Sequence, residues 1–187
     1  MVIFLLKTNA GESRWQTGQK ATRRMNQPRI KQRPLHLMEF GKRDLRTQFG
    51  AVCWRQREGE VEILMVTSRG TGRWIIPKGW PLRGTTAARA AANEAWEEAG
   101  VTGIVHPVSL GIYSYEKVGG RRRKQPVVVA VFSLHVTQVA EKWPEMRRRS
   151  RRWVTTAEAA EMVQEPELRH LLVTFVPPEV LRADEAF

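Results

Sequence analysis

The chain has 187 residues, 42% of them hydrophobic, ample for one domain with a sizeable core, and 27% of them charged. Its single cysteine, Cys53, excludes an internal disulfide and suits a reducing compartment such as the cytoplasm. The formal net charge of +12 is lopsided, because residues 1–48 carry 11 Lys and Arg against 3 Asp and Glu.

Met1 to about Arg46 holds scattered polar residues, Pro28 and Pro34, and no sustained hydrophobic period, so 1–46 is read as a basic, disordered extension. An Arg-rich, acid-poor segment of this kind is open to three readings. It is a transit peptide, an arm that touches nucleic acid, or sequence upstream of a true start at Met25 or Met38. The longest apolar runs, Val2–Leu6 and Val127–Phe132, are far too short for a membrane-spanning helix, and no membrane partner is expected.

From Gln48 the pattern becomes that of a folded domain, placed at 47–176, with 177–187 as a tail. Phe49–Arg55 and Val61–Thr67 are apolar runs of strand length around the polar turn Gln56–Glu60. Trp74–Pro77 is a third strand, leading into a loop at Gly79. A helix over Thr86–Ala99 follows. Gly103–Lys117 reads as a bent strand, broken at Pro107 and Gly111. Gly119 and Gly120 open a turn carrying Arg121, Arg122, Arg123 and Lys124; Pro126–Thr137 is Val-rich, as a central strand buried on both faces should be. Beyond Trp143-Pro144 and the basic run Arg147–Arg152 come a last strand at Trp153-Val154, a helix from Thr155 or Thr156 to about Val163, and another over Pro166–Leu172. The order β-β-β-α-β-β-β-α predicts an α/β domain, a mixed sheet with helices packed on its faces.

The helix carries the chemistry. It is Ala-rich, with Thr85 or Thr86 to cap its start and Gly100 to end it. At about 100° per residue, Ala88, Ala91, Ala92, Ala95, Trp96 and Ala99 share one side, and Glu94, Glu97 and Glu98 are expected to face out on the other. An acidic helix side is ordinarily solvated surface, but none of these glutamates has a Lys or Arg three or four residues away, and all sit where the helix dipole disfavours negative charge. A close carboxylate pair costs on the order of 3 kcal/mol at about 6 Å. A divalent cation would reverse that sign, and hard Mg²⁺ suits carboxylates together with substrate phosphate oxygens and water.

Gly79, Glu94, Ala95, Glu97, Glu98, Gly100 and Val101 stand at separations that resemble the Nudix box, G-x5-E-x7-R-E-U-x-E-E-x-G-U, with U a bulky aliphatic residue. Two positions depart: Thr85 stands at the first glutamate and Asn93 at the arginine, residues that pair with each other in the family. The resemblance implies a Nudix α/β/α sandwich and Mg²⁺- or Mn²⁺-dependent hydrolysis of a phosphoanhydride. In that reading Glu97 and Glu98 are metal ligands, Glu94 is a ligand or the base that activates water, and the Lys78 carbonyl is a further ligand. Glu116 and Glu141 are the candidates for an acidic residue outside the box. Cys53-Trp54-Arg55, Trp74, Trp143 and Arg151-Arg152-Trp153 further resemble the diphosphoinositol-polyphosphate and diadenosine-polyphosphate phosphohydrolases, although Lys78 replaces a glycine common there. A polyphosphorylated small molecule is then the partner, with Arg55, Lys78, Arg121, Arg122, Arg123 and Lys124 binding it.

Two rival functions remain in view. A Nudix fold that binds a nucleotide without turnover is kept alive by Thr85 and Asn93. RNA 5′-end pyrophosphohydrolysis is prompted by the basic extension, but the chain lacks the aromatic-interleaved basic stripe that grips single strands. Cys53 lies in an apolar run, a core position rather than a nucleophile's, and His36, His106, His135 and His170 lack close metal-ligand spacing. Deleting Met1–Gly41 is expected to leave the thermal midpoint and the hydrolysis of a small substrate unchanged, which a melt and a phosphate-release assay of the shortened chain would check.

Overall fold

In the computed structural model the described residues are 46–118 and 124–178; the expectations for 1–45, for Arg121–Arg123 and for the far end of the tail lie outside them. Among the described residues seven strands form one sheet, in the order β3-β2-β1-β6-β5, with β4 added to β1 and β7 to β2. The strands are β1 (Arg46–Arg57), β2 (Glu60–Thr67), β3 (Trp74–Ile75), β4 (Lys78–Gly79), β5 (Val101–Val118), β6 (Lys124–Val139) and β7 (Arg151–Thr155). Three helices accompany them: α1 (Ala87–Ala99), α2 (Thr156–Met162) and α3 (Pro166–Val173). β1 runs parallel to β6 and antiparallel to β2 and β4, so the sheet is mixed.

Local sequence accounts for most of the joints. β1 and β2 form a hairpin closed at Arg57 and Glu60, where Glu58 and Gly59 both take positive φ, the turn whose twist matches that of the strands. Pro77 has no N–H to give to a ladder, and the strand expected over Trp74–Pro77 stops at Ile75 as β3, with β4 beginning beyond it at Lys78, while the Pro77 carbonyl still accepts from Ala51 N at 3.0 Å. β5 is one long strand whose pairing with β6 shifts register between Val105 and Ser109 and again before Gly111, the region that Pro107 and Gly111 mark. α2 starts with a capping box between Thr155 and Glu158.

The two faces of the sheet carry separate cores. Ala88, Ala91, Ala95 and Ala99 of α1 press on Ala51, Cys53, Leu64, Val66, Phe132 and Leu134, and their small side chains allow a close approach. Burial pushes the Cys53 thiol far up, which leaves it an inert core residue. On the opposite face Ala159, Ala160, Val163, Leu168 and Leu172 cover Val52, Trp54, Ile63, Met65, Val127, Val129 and Val131. β6 thus contributes to both cores, as its Val-rich sequence requires, and the architecture is helix, sheet, helix. Among the described residues no helix is long and apolar enough to cross a membrane.

The helix-face assignment needs correcting at two residues. Trp96, expected against the sheet, is 36% exposed, and Glu98, expected to face solvent, is 5% exposed. The cause is long-range. The connection from Ala140 to Ser150 lies across the end of α1, with Trp143 Nε1 donating to Glu98 O at 3.2 Å and Glu145 N to Glu97 O at 3.1 Å. α1 ends at Gly100 in the left-handed conformation, φ 65° and ψ 36°. A Cβ there would stand 2.7 Å from Trp143 Cγ. Gly100→Ala should therefore cost about 2–4 kcal/mol, the left-handed penalty plus the displacement of Trp143, read as a lower urea midpoint.

Candidate active site

Two-residue β4 sets the site. Its pairing with β1, Phe49 with Gly79 and Gly50 with Lys78, holds the 78–82 loop beside α1. Gly79 leaves room for the Glu94 carboxylate, which occupies the space a Cβ would take, so a side chain here would push that carboxylate aside. Thr86, one of the two expected caps, accepts from Arg89 N at 3.3 Å and starts the helix so that Glu94, Glu97 and Glu98 reach one cleft. That cleft, of about 480 Å³, is also lined by Gln48, Arg69, Lys78, Trp80, Tyr115, Lys117, Glu145 and Arg149.

Each glutamate has its own environment. Glu98 is buried, with one carboxylate oxygen accepting from Lys78 N at 3.1 Å and the other ion-paired to Arg149 Nη2. Burial pushes its carboxyl up, against the opposing pull of Arg149 and Lys78. Glu97 is exposed and accepts from Asn93 Nδ2 at 2.8 Å, one helical turn away. Thr85, the other departure from the box, donates to Leu82 O at 3.1 Å. The two are therefore not joined to each other, and each has found a local partner. Half-buried Glu94 is pushed up to about 7, first by desolvation and then by the like charges of Glu98, Glu97 and Glu145.

Cations border these acids. Lys78 Nζ sits 5.1 Å over the Tyr115 ring, and burial lowers the pKa of its ammonium. Tyr115 in turn donates to Gln48 Oε1 at 2.8 Å. Trp80 has Lys117 Nζ 4.8 Å and the Arg46 guanidinium 5.9 Å from its ring centre. Arg149 Nε donates to Glu145 Oε2 at 2.5 Å and Arg149 Nη1 to Thr67 O at 2.8 Å.

Four residues singled out in the sequence, Lys78, Glu94, Glu97 and Glu98, thus come together. Arg55 does not join them: it bonds Glu62 at 2.6 Å and stacks 4.1 Å from the centre of the Trp153 ring. Lys124 pairs with Glu116 at 2.9 Å, and neither lines the cleft; Glu141 does not line it either. The acid outside the box that does line it is Glu145, which the sequence reading missed together with Lys117, Tyr115 and Arg149. One available signal was the spacing of Glu145 and Arg149, four apart, the separation of a local ion pair.

The donors in the cleft are hard oxygens, from Glu94, Glu97, Glu98 and Glu145. Among the described residues no three His, Cys, Asp or Glu side chains converge to enclose an ion by themselves. Glu97 and Glu98 are turned to Asn93 and Arg149, which leaves an open donor set. Such a set fits a divalent cation that takes its remaining ligands from water and substrate. The upward shift of Glu94 comes first from burial, and a cation would offset the smaller part that comes from the like charges of Glu98, Glu97 and Glu145.

For the cation-free protein this shift has a definite sign. Glu94 moves from 4.5 to about 7 on folding, so between those values the folded state retains a proton that the unfolded state has lost. The resulting penalty is absent below about pH 4.5 and complete above about pH 7. Glu94→Gln should then stabilise the metal-free chain at about pH 8, on the order of 1–2 kcal/mol after solvent screening, with the gain shrinking toward pH 5. Urea denaturation across that range measures it.

The profile of the NUDIX domain family matches residues 44–175. Nudix hydrolase 12, mitochondrial, of Arabidopsis thaliana is 34% identical over 126 residues, a stretch covering 63% of this chain and 59% of that protein. The chain thus spans less than two thirds of that relative's length. Diphosphoinositol polyphosphate phosphohydrolase 2 of Rattus norvegicus is 28% identical over 137 residues, 72% of each chain. The crystal structure of C. elegans Ap4A hydrolase superposes with a TM-score of 0.51 at 20% identity, over 69% of this chain and 94% of that one, a likeness of fold. With the family profile spanning the whole sheet and all three helices, the chain belongs to the Nudix hydrolase family.

Proposed function

We propose that this chain is a divalent-cation-dependent hydrolase of phosphoanhydrides in a densely charged small molecule, of the diphosphoinositol-polyphosphate or diadenosine-polyphosphate class. The observation that carries the reading is one cleft lined by the box glutamates Glu94, Glu97 and Glu98 together with Lys78 and Lys117, with Arg46 against the ring of the lining residue Trp80. The names of two similar proteins, a diphosphoinositol polyphosphate phosphohydrolase and an Ap4A hydrolase, support the substrate class.

Hydrolysis adds water across a P–O–P bridge: the water oxygen bonds one phosphorus, and the bridging oxygen leaves on the other. Glu97, Glu98 and Glu94, with the Lys78 carbonyl, would hold the cation, Mg²⁺ or Mn²⁺. Bound there, the cation supplies charge neutralisation and Lewis acidity. If Glu94 is instead the base, its position near 7 in the cation-free cleft suits accepting a proton from water near neutrality. Lys117 and Arg46, steadied over Trp80, and Lys78, over Tyr115, would take the phosphates beyond the bond that breaks. Arg121, Arg122 and Arg123 join them as substrate-binding candidates on sequence grounds alone, whereas Lys124 is taken up by Glu116 outside the cleft. For the compartment, Cys53 favours a reducing one such as the cytoplasm. The word mitochondrial belongs to the name of the plant relative.

A second reading, binding without turnover, rests on Thr85 and Asn93, whose present partners Leu82 O and Glu97 replace the family's pair. One experiment separates the two. Phosphate release is measured with and without Mg²⁺ on diadenosine polyphosphates, inositol pyrophosphates, nucleoside triphosphates and 5′-triphosphorylated RNA. Hydrolysis is expected for the longer polyphosphates, weakening as salt rises and falling by orders of magnitude in Glu97→Gln and Glu98→Gln. Saturable binding with no release would instead establish the second reading. Lys117→Ala should raise KM for a long polyphosphate about tenfold, the equivalent of losing one charged contact, and alter KM for ADP-ribose less.

A further inference from the structure

The box arginine is absent here, Asn93 standing in its place, yet a guanidinium still meets a box glutamate. Arg149 comes from the connection before β7, far from the box in sequence, and is 8% exposed where it meets Glu98. All three of its guanidinium nitrogens are engaged: Nη2 with Glu98, Nε with Glu145 and Nη1 with Thr67 O at the end of β2. This fork cannot swing without releasing two carboxylates and a carbonyl together. The second Glu98 oxygen is fixed independently, by Lys78 N. A carboxylate has about four lone-pair sites, so these two hydrogen bonds set its plane and leave the other sites open to the cleft.

We propose that Arg149 is a positioning residue that orients the Glu98 carboxylate for the divalent cation. The assignment rests on the reading of Glu98 as a cation ligand. Simple stabilisation accounts less well for the pair, because a buried ion pair replaced by apolar side chains is often no less stable. Hydrogen-bonding partners behind a ligating carboxylate, by contrast, typically change metal affinity about 10- to 100-fold when removed.

The test is a Mn²⁺ titration of the full chain without substrate, followed by electron paramagnetic resonance, with a thermal melt of each variant. Arg149→Met is expected to bind Mn²⁺ about 10- to 100-fold more weakly than the native protein. Arg149→Lys, which keeps the charge and loses the fork, should lie between the two. Glu98→Gln tests the underlying reading: if it binds Mn²⁺ as the native chain does, Glu98 is no ligand and both ideas fall. If Glu98→Gln weakens binding while both Arg149 variants keep the native Kd, Arg149 is structural only, whatever the melts show. Tighter Mn²⁺ binding in Arg149→Met overturns the proposal in a different way, by making Arg149 a competitor of the cation. Should Arg149→Met fail to melt cooperatively, the Kd of Arg149→Lys decides the matter, a native value rejecting the proposal.

Discussion

A carboxylate taken out of water costs several kcal/mol unless a cation and hydrogen-bond donors face it, and the burial of Glu98 passes that demand through the whole neighbourhood of the cleft. Arg149 and Lys78 N face Glu98. Arg149 is then itself a buried charge, and Glu145 and Thr67 O complete its coordination. Those partners are in reach because the Ala140–Ser150 connection is docked on the end of α1. Trp143 lies under Gly100, and Arg151 donates to Ala99 O and Ala140 O at 2.6 and 2.7 Å from a position stacked on Trp143. The guanidinium of Arg151 thus answers the exposed carbonyls of a helix C-terminus that carries three glutamates and no basic residue of its own.

The cleft holds opposed charges near each other without letting most of them cancel. Glu94 is shifted up and Lys78 down, and burial is the first cause of both. Each is thereby made readier to accept a partner of opposite charge than the same group in water. Trp80 and Tyr115 present flat faces to ammonium and guanidinium groups, an attraction that holds a cation without neutralising it.

Much of the fold was legible in the sequence because short-range rules govern it. The Glu58-Gly59 turn, the Gly100 stop and the doubly buried Val run of β6 each follow from local chemistry, whereas the strand expected through Pro77 stops at Ile75. The core of the site was legible too, since Lys78, Gly79 and the three glutamates are set by strand, loop and one helix. What escaped was whatever depends on a distant segment. Periodicity could not show that a connection more than 40 residues away would cover Glu98. Nor could it show that the run Arg147–Arg152 divides, with Arg149 turned inward while Arg147 and Arg148 stay exposed. Arg55 misled for the opposite reason: its strand is right, but it lies at the end of β1 that pairs with Glu62, whereas the site lies at the end that pairs with Lys78 and Gly79.

The parallel pairing of β1 with β6 bears on how the molecule is made. β1 emerges first from the ribosome, yet its neighbour on one side is a strand from the second half of the domain. Until β6 has been synthesised, the hairpin of β1 and β2 must wait with Ala51, Val52, Cys53 and Trp54 uncovered along an open edge. An incomplete chain of this kind offers chaperones a hydrophobic strand to hold and other nascent chains a template on which to aggregate.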